Sequence, residues 1–327
     1  MGLEWRAALD RPLALPGAGL TYVVAAGQGV GDVARDLHGR GVLPAPYWLE
    51  WSARLGGEAA RLKAGEYFLP AGTTPRGLLK TLVAGRVVQH SLTLVEGWTF
   101  AQVLEAVRRH DAIRETLTGL SPEAVMDRIG SPGVHPEGRL LPETYFFPRG
   151  TTDIEVLRRA YRDMATFLAR AWQGRDARVR LKTPDEALVL ASIIEKETAQ
   201  PAERPRVAGV LLRRLQRGML LQVDPTVIYG LGEQYDGNLR RQDLARDTPY
   251  NTYLRAGLPP TPIAMPGGAS IQAALNPEEG GELFYVARGD GSHQFSVSLE
   301  EHQRAVAHYQ LRRSPDRVES RSSGAGP

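Results

Sequence analysis

The chain has 327 residues, of which 42% are hydrophobic and 24% are charged, with a formal net charge of +3. This composition can form a substantial buried core, and the small charge excess does not argue for nucleic acid as a partner. The sequence contains no cysteine, which excludes disulfide bonds and thiolate chemistry. Its seven histidines lack ligand-like spacing, so we expect no metal site. No apolar run approaches the ~20 residues of a membrane helix, so the chain as given is expected to be soluble.

The first part of the chain predicts a small α+β module over residues 20–95. Residues 1–19 are rich in Pro, Gly and Ala and are expected to be an arm or linker. The predicted elements are a strand at Tyr22–Val24, helices at Val30–Leu37 and Ala45–Leu55, and a strand within Lys63–Pro70. This order, with Gly27 and the Ala-Gly-x-Tyr-x-Leu-Pro ending, resembles a LysM-type glycan-binding module. The alternative is a small packing module without a ligand.

The rest of the chain predicts a larger mixed α+β domain over residues 96–311. Cap residues and prolines mark most of its helix starts. The first module ends with a further helix predicted to begin at Thr74 and a strand predicted at Val87–Val95. In the larger domain, helices are predicted to begin at Thr99, Ser121, Thr152, Thr183, Ala202, Asp224, Ser270 and Ser298. Strands are predicted there at Met219–Gln222, Leu283–Ala287 and His293–Val297. Residues 247–268 predict a long irregular loop that forms a wall of a binding cleft, and residues 312–327 predict a disordered tail.

Five arginines are clustered on the helix predicted at 202–217. They are Arg204, Arg206, Arg213, Arg214 and Arg217. Such a row is typical of a solvated face, although it could also bind the carboxylates of an anionic polymer.

The stretch Thr183–Thr198 predicts a buried helix that ends in two carboxylates. Its residues 187–194 contain a single polar side chain, and a helix that is apolar all round belongs inside a domain. Glu195 follows directly, and partial desolvation there favours the neutral carboxyl that a general acid requires. The alternative is an ordinary solvated helix end. Glu195 and Glu197 point to nearly opposite sides, and the spacing does not say which one faces a cleft.

Several motifs in one order resemble the endolytic murein transglycosylase, or YceG-like, family from about residue 20 to residue 311. They are Ala191–Thr198 (ASIIEKET), Leu221–Gly230 (LQVDPTVIYG), Tyr250–Tyr253 (YNTY), Gly257–Ile263 (GLPPTPI), Pro266–Gly267 and His293–Phe295 (HQF), with Val95–Gly97 and Glu137–Tyr145 upstream. The resemblance implies an α+β fold, with a LysM-like module followed by a catalytic domain. It implies that the chain cleaves the β-1,4 bond between N-acetylmuramic acid and N-acetylglucosamine in nascent peptidoglycan strands.

The same resemblance implies a location and a catalytic residue. It places the catalytic glutamate at Glu195. It implies the bacterial cell envelope, at the periplasmic face of the inner membrane, with peptidoglycan glycan strands as the partner and the cell-wall synthesis machinery as a further candidate. Family members normally begin with a membrane helix, which this sequence as written does not show.

The expected mechanism uses one carboxyl because the substrate carries its own nucleophile. Neutral Glu195 would protonate the glycosidic oxygen, and its carboxylate would then accept the proton of the 6-hydroxyl of muramic acid. That oxygen closes on C1 and leaves a 1,6-anhydro end. Asp224 is expected to be a helix cap. The candidate substrate-binding residues are Gln222, Tyr229, Asn251, Thr252, Tyr253, Glu197 and His293.

Two other functions remain open from the sequence, and a third lacks the residue context that it would need. A muramidase would use water in place of the 6-hydroxyl, and a non-catalytic peptidoglycan-binding protein would release no fragments. A pyridoxal-dependent lyase would need a buried lysine, and neither Lys182 nor Lys196 has such a context. We therefore expect no cofactor.

Overall fold

The structure is a computed structural model that describes residues 4–311. The chain divides into two compact units. The first contains the described part of Met1–Leu92 together with Arg108–Thr116 and Tyr145–Asp153. The second contains Thr93–Val107, Leu117–Thr144 and the described part of Ile154–Pro327. The tail predicted to be disordered, 312–327, lies outside the described residues.

The elements of the first unit are α1 (Glu4–Asp10), β1 (Leu20–Val24), α2 (Val30–Gly39), α3 (Pro46–Leu55), β2 (Gly65–Leu69), α4 (Pro75–Ala84), β3 (Gln89–Thr93) and β4 (Thr144–Pro148). From β1 to β3, these elements match the predicted strands and helices in type and order. Strand β1 pairs antiparallel with β2, with Tyr22 opposite Tyr67. Both tyrosines are buried, because alternate residues of the two strands face the core against α2 and α4. Helix α1 lies within the stretch predicted as an arm or linker.

The second unit is mainly helical. Most or all residues of the following elements belong to it: α5 (Phe100–Arg109), α6 (Pro122–Ile129), α7 (Asp153–Gln173), α8 (Pro184–Glu197), α9 (Arg204–Gln216), α10 (Asp224–Leu231), α11 (Arg241–Leu244), α12 (Gly268–Leu275), β5 (Phe284–Ala287), β6 (His293–Ser296) and α13 (Leu299–Val306). Strands β5 and β6 form the predicted hairpin, with Ala287 opposite His293. The mixed α+β class is confirmed, with the sheets of the described chain reduced to two-stranded pairs. Within residues 4–311, no helix is long and apolar enough to cross a membrane.

Helix α8 forms the centre of the second unit, as its apolar sequence predicts. Residues 187–194 are all buried, and α8 packs against α9, α10 and α12 in a hydrophobic cluster that also includes residues of α7. The hydroxyl of Thr183 accepts a hydrogen bond from the Glu186 N–H at 3.2 Å, and Pro184 occupies the first turn. The cap and the apolar run therefore fix where this helix begins and that it is buried.

The single polar residue inside α8 attaches the long irregular loop to the core. The hydroxyl of Ser192 donates to the Val189 carbonyl at 2.7 Å and accepts from the Ile263 N–H at 3.0 Å. A second attachment joins the Met265 N–H to the Trp98 carbonyl at 2.7 Å. Residues 247–267 contain no helix or strand, as predicted, and these bonds attach the loop to α8 and to the segment that precedes α5.

The predictions for residues 219–222 and for Ser270 are wrong. Residues 219–222 do not form a strand: Leu221 and Val223 are buried in alternation, which mimics a strand, but Gln222 between them has a φ of +54° that breaks extended structure. Ser270 is not a cap, because α12 begins at Gly268 and is capped by Gly267, and Ser270 is buried in its first turn.

The arginines of α9 do not form a solvated face. Arg204 and Arg214 are buried. Arg206 and Arg213 both pair with Glu282, at 2.8 Å and 3.3 Å. Their partners come from distant parts of the chain, which is why helical periodicity alone misassigned this face.

Replacing Ser192 with alanine tests whether this hydroxyl secures the loop. The change leaves the buried N–H of Ile263 without its acceptor, so we expect the free energy of unfolding to fall by about 1–3 kcal/mol. Urea denaturation measures this difference. Thr118→Ala, at an exposed turn position, serves as the control and should change stability by less than about 0.5 kcal/mol. Equal stability of Ser192→Ala and the unaltered chain would contradict the role of this hydroxyl.

Candidate active site

The end of α8 places two carboxylates on different sides of the helix. Glu195 and Glu197 are separated by two residues, or about 200° of helical rotation. Glu197 lines a cavity of about 430 Å³, whereas Glu195 does not. The structure thus distinguishes two residues that the sequence spacing left equivalent.

The cavity lies in the second unit and is enclosed by the end of α8, the connection from α9 to α10, the β5–β6 hairpin and α13. Its polar wall carries acidic, basic, amide and phenolic groups. Among its lining residues are Glu197, Arg214, Gln222, Asp224, Tyr253 and His293. A space of this size with converging polar groups is the usual form of a small-ligand or catalytic site.

Glu197 is the cavity residue best suited to donate a proton. Burial raises the pKa of its carboxyl from 4.5 to about 7. The charge of Asp224 raises the pKa further, while a hydrogen bond with Tyr285 and the charges of His293 and Arg214 lower it. A carboxyl with a pKa near neutrality is half protonated at pH 7, which is the condition for general acid catalysis.

Glu195 has a different environment. Its side chain is 5% exposed, and both oxygens accept hydrogen bonds. Arg204 donates to Oε1 at 3.1 Å, and the Gly267 N–H donates to Oε2 at 2.9 Å. The carboxylate therefore joins the ends of α8, α9 and α12, next to the positive N-terminal end of α12. This geometry favours a structural role over the expected role as acid.

Glu96 lies beside this ion pair and was not among the predicted site residues. Its carboxylate is 3.7 Å from Arg204, and burial together with the charge of Glu195 raises its pKa. A Cβ added at Gly267 would lie 1.8 Å from a Glu96 oxygen, so a larger residue there would displace the Glu96 carboxylate from its present position. This second acidic group is separate from the lining of the cavity.

Gln222 lies at the exposed edge of the cavity in a backbone conformation that costs energy. Among the described residues other than glycine, it alone has a positive φ. Its N–H donates to the Thr252 carbonyl at 3.0 Å, and its side-chain oxygen accepts from Arg214 at 3.4 Å. A left-handed conformation costs a residue with a side chain about 1–2 kcal/mol, and such positions are often functional.

Asn251 and Thr252 support the cavity from behind. Asn251 is fully buried, and its amide group donates to the carbonyls of Leu244 at 2.9 Å and Arg246 at 2.7 Å. The hydroxyl of Thr252 accepts from the Val223 N–H at 3.0 Å. Both residues were expected to bind substrate. Their side chains are instead buried and hydrogen-bonded within the protein, so neither is available to a substrate.

Tyr253 and Asp224 contribute to the cavity together. The Tyr253 hydroxyl donates to the Asp224 carboxylate. The prediction that Asp224 caps α10 is wrong, because Val223 occupies the cap position and Asp224 is the first helical residue. Its carboxylate instead faces the cavity.

Tyr229 is directed to another buried carboxyl outside the cavity lining. Its hydroxyl donates to Glu137 at 3.0 Å, and the Phe100 N–H donates to the other Glu137 oxygen at 2.9 Å. Burial raises the pKa of Glu137 to about 7, against the effect of these bonds. The ring of Tyr229 packs edge-on against that of Tyr250, with centroids 4.9 Å apart. Tyr229 is thus a core contact.

His293 enters the cavity with a carboxylate partner that sequence inspection did not identify. Its Nδ1 lies 2.7 Å from Oε2 of Glu203, and its backbone N–H donates to Oε1 at 2.9 Å. Its ring packs edge-on against Tyr285, with centroids 5.5 Å apart.

Four of the eight predicted site residues come together in the cavity. They are Glu197, Gln222, Tyr253 and His293. Asp224 lies inside a motif that carried the family resemblance, so that motif was a signal for its role. Arg214, Tyr285 and Glu203 lie outside all those motifs and gave no such signal. Within residues 4–311, no group of three or more His, Asp or Glu side chains is arranged to hold a metal.

Comparison with known proteins identifies relatives along most of the chain. The family model of the YceG-like family matches residues 22–308. An endolytic murein transglycosylase of Bacillus subtilis (strain 168) is 28% identical over 303 residues, which cover 88% of this chain and 83% of the relative. One of Streptococcus pneumoniae (serotype 2, strain D39) is 29% identical over 286 residues, which cover 76% of this chain and 51% of the relative. The matched region thus spans about half of the streptococcal protein.

A solved structure shows a similar fold. The crystal structure of a yceG-like protein of Listeria monocytogenes superposes with a TM-score of 0.56 at 27% identity. The match covers 89% of this chain and 100% of the other. The family match, which extends over most of the described residues, confirms the resemblance seen in the motifs: the chain belongs to the YceG-like family.

Proposed function

We propose that this chain is an endolytic murein transglycosylase, a lyase that cleaves peptidoglycan glycan strands between N-acetylmuramic acid and N-acetylglucosamine. The relatives that carry this name support the reaction class. The observation that carries the proposal is Glu197, a carboxyl with a pKa of about 7 in a polar cavity of about 430 Å³. A half-protonated acid in such a cavity can protonate a glycosidic oxygen near neutral pH.

The proposed reaction is an intramolecular displacement. Glu197 donates its proton to the oxygen of the scissile bond as the bond from that oxygen to C1 of muramic acid breaks. The 6-hydroxyl oxygen of the same sugar closes on C1 as its proton passes to a base of the protein in the cavity, so the protein gives up one proton and takes one back. The product is a 1,6-anhydro end, and the proximity of the reacting groups within one sugar replaces an external nucleophile.

The other polar groups of the cavity fit the binding of acetylated sugars. The amide of Gln222 and the hydroxyl of Tyr253 can exchange hydrogen bonds with N-acetyl and hydroxyl groups. Arg214 adds a buried positive charge, fixed by bonds to the carbonyls of Leu283 at 2.6 Å and Leu221 at 2.9 Å. Such a fixed charge can stabilise the Glu197 carboxylate that forms as the proton leaves.

We propose that Glu195 holds the catalytic helix in place and does not act as the acid. Its ion pair with Arg204 and its bond to the Gly267 N–H occupy both oxygens. A proton donor needs one oxygen free to carry the proton to the substrate. This assignment revises the expectation from the family resemblance, in which Glu195 was the acid.

The first unit is proposed to be a LysM-like module that holds glycan. Its β1–α2–α3–β2 order is the one that the resemblance describes. Tyr47 and Trp51, one helical turn apart on α3, are both exposed. Their rings offer apolar faces on which sugar rings can pack. A module of this kind fits an enzyme that acts in the cell envelope at the periplasmic face of the inner membrane, near the cell-wall synthesis machinery.

Glutamine variants of the two carboxylates test which one is the acid. We expect Glu197→Gln to reduce kcat by about 10²–10⁴-fold, because an amide has no proton to donate. We expect Glu195→Gln to retain most of kcat and to lower the melting temperature, because it leaves Arg204 with a weaker partner. Digestion of uncrosslinked glycan strands, with the termini identified by mass spectrometry, measures the activity.

The same digestion separates the alternative functions. A water-using muramidase leaves reducing ends, which are one water heavier than anhydro ends. A binding protein without activity sediments with sacculi and releases no fragments. If Glu195→Gln abolished cleavage in a stable protein while Glu197→Gln cleaved normally, the assignment of the acid would be reversed.

The raised pKa of Glu197 predicts how activity and stability depend on pH. The acid works only when protonated, so kcat/KM should fall as the pH rises above about 7.

The pKa of Glu197 is higher in the folded chain than in the unfolded chain. Its protonation therefore contributes stability that is complete below pH 4.5 and is lost as the pH rises through about 7. Melting temperatures at pH 5 and pH 8 should therefore differ less in Glu197→Gln than in the unaltered chain. Part of the difference should persist, because Glu137 titrates in the same direction. An equal pH dependence in both proteins would contradict the burial of Glu197.

Gln222 offers a test that separates function from stability. Gln222→Gly removes the cost of the left-handed backbone, so stability should be maintained or rise by about 1 kcal/mol. The variant also removes the amide from the cavity, so KM for glycan strands should rise. Gln222→Asn, which keeps an amide and tolerates this conformation, is the matched control and should retain more activity. A fully active Gln222→Gly protein would mean that this side chain does not contact the substrate.

A further inference from the structure

Glu203 and His293 form a carboxylate–imidazole pair at the wall of the cavity. Glu203 is the last residue of a short 3₁₀ helix, Pro201–Glu203, between α8 and α9. His293 begins strand β6. The side chains are 18% and 11% exposed, so the pair is largely shielded from solvent. Shielding strengthens this contact compared with an ion pair on the surface.

The carboxylate holds His293 at two points. Oε1 accepts the backbone N–H at 2.9 Å, and Oε2 faces the ring Nδ1 at 2.7 Å. The Glu203 carboxylate is itself contacted by the Thr198 hydroxyl, which donates to Oε2 at 3.5 Å. Because the backbone and the ring are fixed by the same carboxylate, the rotation of the imidazole is restricted.

This arrangement determines the tautomer of the neutral ring. A carboxylate only accepts hydrogen bonds, so Nδ1 carries the hydrogen and Nε2 carries the lone pair. No described residue provides a hydrogen-bond partner for Nε2 in the structure. An imidazole oriented through Nδ1 by a carboxylate, with a free Nε2, is the arrangement by which histidine acts as a general base.

The ring also lies close to the proposed acid. His293 and Glu197 line the same cavity, and a positive charge on the imidazole, when it is protonated, lowers the pKa of the Glu197 carboxyl. Tyr285 contacts both, through a hydrogen bond to Glu197 and an edge-on packing of its ring against His293. The other ionisable groups that line this cavity are Arg214, Asp224, Tyr253 and His302.

Resting on the proposed transglycosylase activity, we propose that His293 is the base that accepts the proton of the substrate 6-hydroxyl, and that Glu203 is its positioning residue. The O6–H bond breaks and its proton goes to Nε2 of His293, while the O6–C1 bond forms. The C1–O4 bond breaks, and O4 takes the proton of Glu197. A proton then passes from the imidazolium to the Glu197 carboxylate, directly or through water, and both groups return to their starting states.

Two substitutions separate this role from a structural one. His293→Asn keeps an amide N–H near the position of Nδ1, which can still donate to Glu203, but removes Nε2. We expect kcat to fall at least 100-fold with little change in KM. His38→Asn, at an exposed position in the first unit, is the control and should cleave normally.

Glu203→Gln tests the orientation of the ring. The backbone N–H of His293 requires an acceptor, so the glutamine oxygen replaces Oε1 and its NH₂ group faces Nδ1. That group donates, which moves the ring hydrogen to Nε2 and removes the lone pair from the cavity. We expect a loss of kcat of at least 100-fold in a protein whose contacts are otherwise preserved. Histidine ¹⁵N NMR should report hydrogen on Nδ1 in the unaltered chain and on Nε2 in the variant.

The outcomes distinguish this inference from the proposed function. Circular dichroism and melting curves establish that each variant is folded, and sedimentation with glycan strands establishes that it binds. If the unaltered chain forms anhydro ends and folded His293→Asn retains activity within about threefold, the base assignment is overturned and the transglycosylase function stands. An unchanged tautomer together with full activity in Glu203→Gln overturns the positioning role. If the unaltered chain forms no anhydro ends, the proposed function itself fails.

Discussion

The end of α8 depends on the contacts made by two consecutive residues, Glu203 and Arg204. Arg204 binds Glu195 on one side of the helix end, and Glu203 binds His293 on the other. Each contact involves a carboxylate that is largely shielded from water, so loss of its partner would leave a poorly solvated group. The short turn between α8 and α9 thus fixes the rotation of α8, and with it the side on which Glu197 meets the cavity.

The cavity is built from residues that are far apart in the chain but hold one another in place. The carbonyl of Thr252 accepts a hydrogen bond from the Gln222 N–H, and its hydroxyl accepts one from the Val223 N–H. These two bonds stabilise the strained turn before α10. Ser192 holds the loop that carries these groups against the core helix. The polar groups of Asn251 and Thr252 are therefore hydrogen-bonded within the protein. The side chains that line the cavity, among them Glu197, Gln222 and Tyr253, are the ones that can contact a ligand.

Much of the fold follows from local rules. The Thr183 cap, the proline after it and the apolar run define α8, and Ser298 defines α13 through a capping box with Glu301. These signals depend on neighbours within one helical turn, so the sequence was sufficient. The hairpin of β5 and β6 was likewise predictable from two short strands around a Gly-Asp-Gly turn.

The parts that could not be predicted depend on distant partners. The choice between Glu195 and Glu197 depends on the Gly267 N–H, 72 positions away in sequence. The ion pairs of Arg206 and Arg213 depend on Glu282, which lies far away in the sequence. Residues 219–222 resembled a strand because their apolar pattern fits both a strand and an irregular turn. The turn at Gln222 is stabilised by a hydrogen bond to Thr252, which lies 30 positions later in the sequence. The roles of individual side chains were thus set by tertiary contacts that no local pattern records.

The burial of Glu197 and Glu137 also alters the electrostatic character of the molecule. The formal net charge of +3 counts every carboxyl as ionised. With both pKa values at about 7, these two acids together carry about one negative charge fewer at neutral pH. At neutral pH the molecule is therefore slightly more positive than its formal charge indicates, and each of these two acids can take up or release a proton within the physiological range.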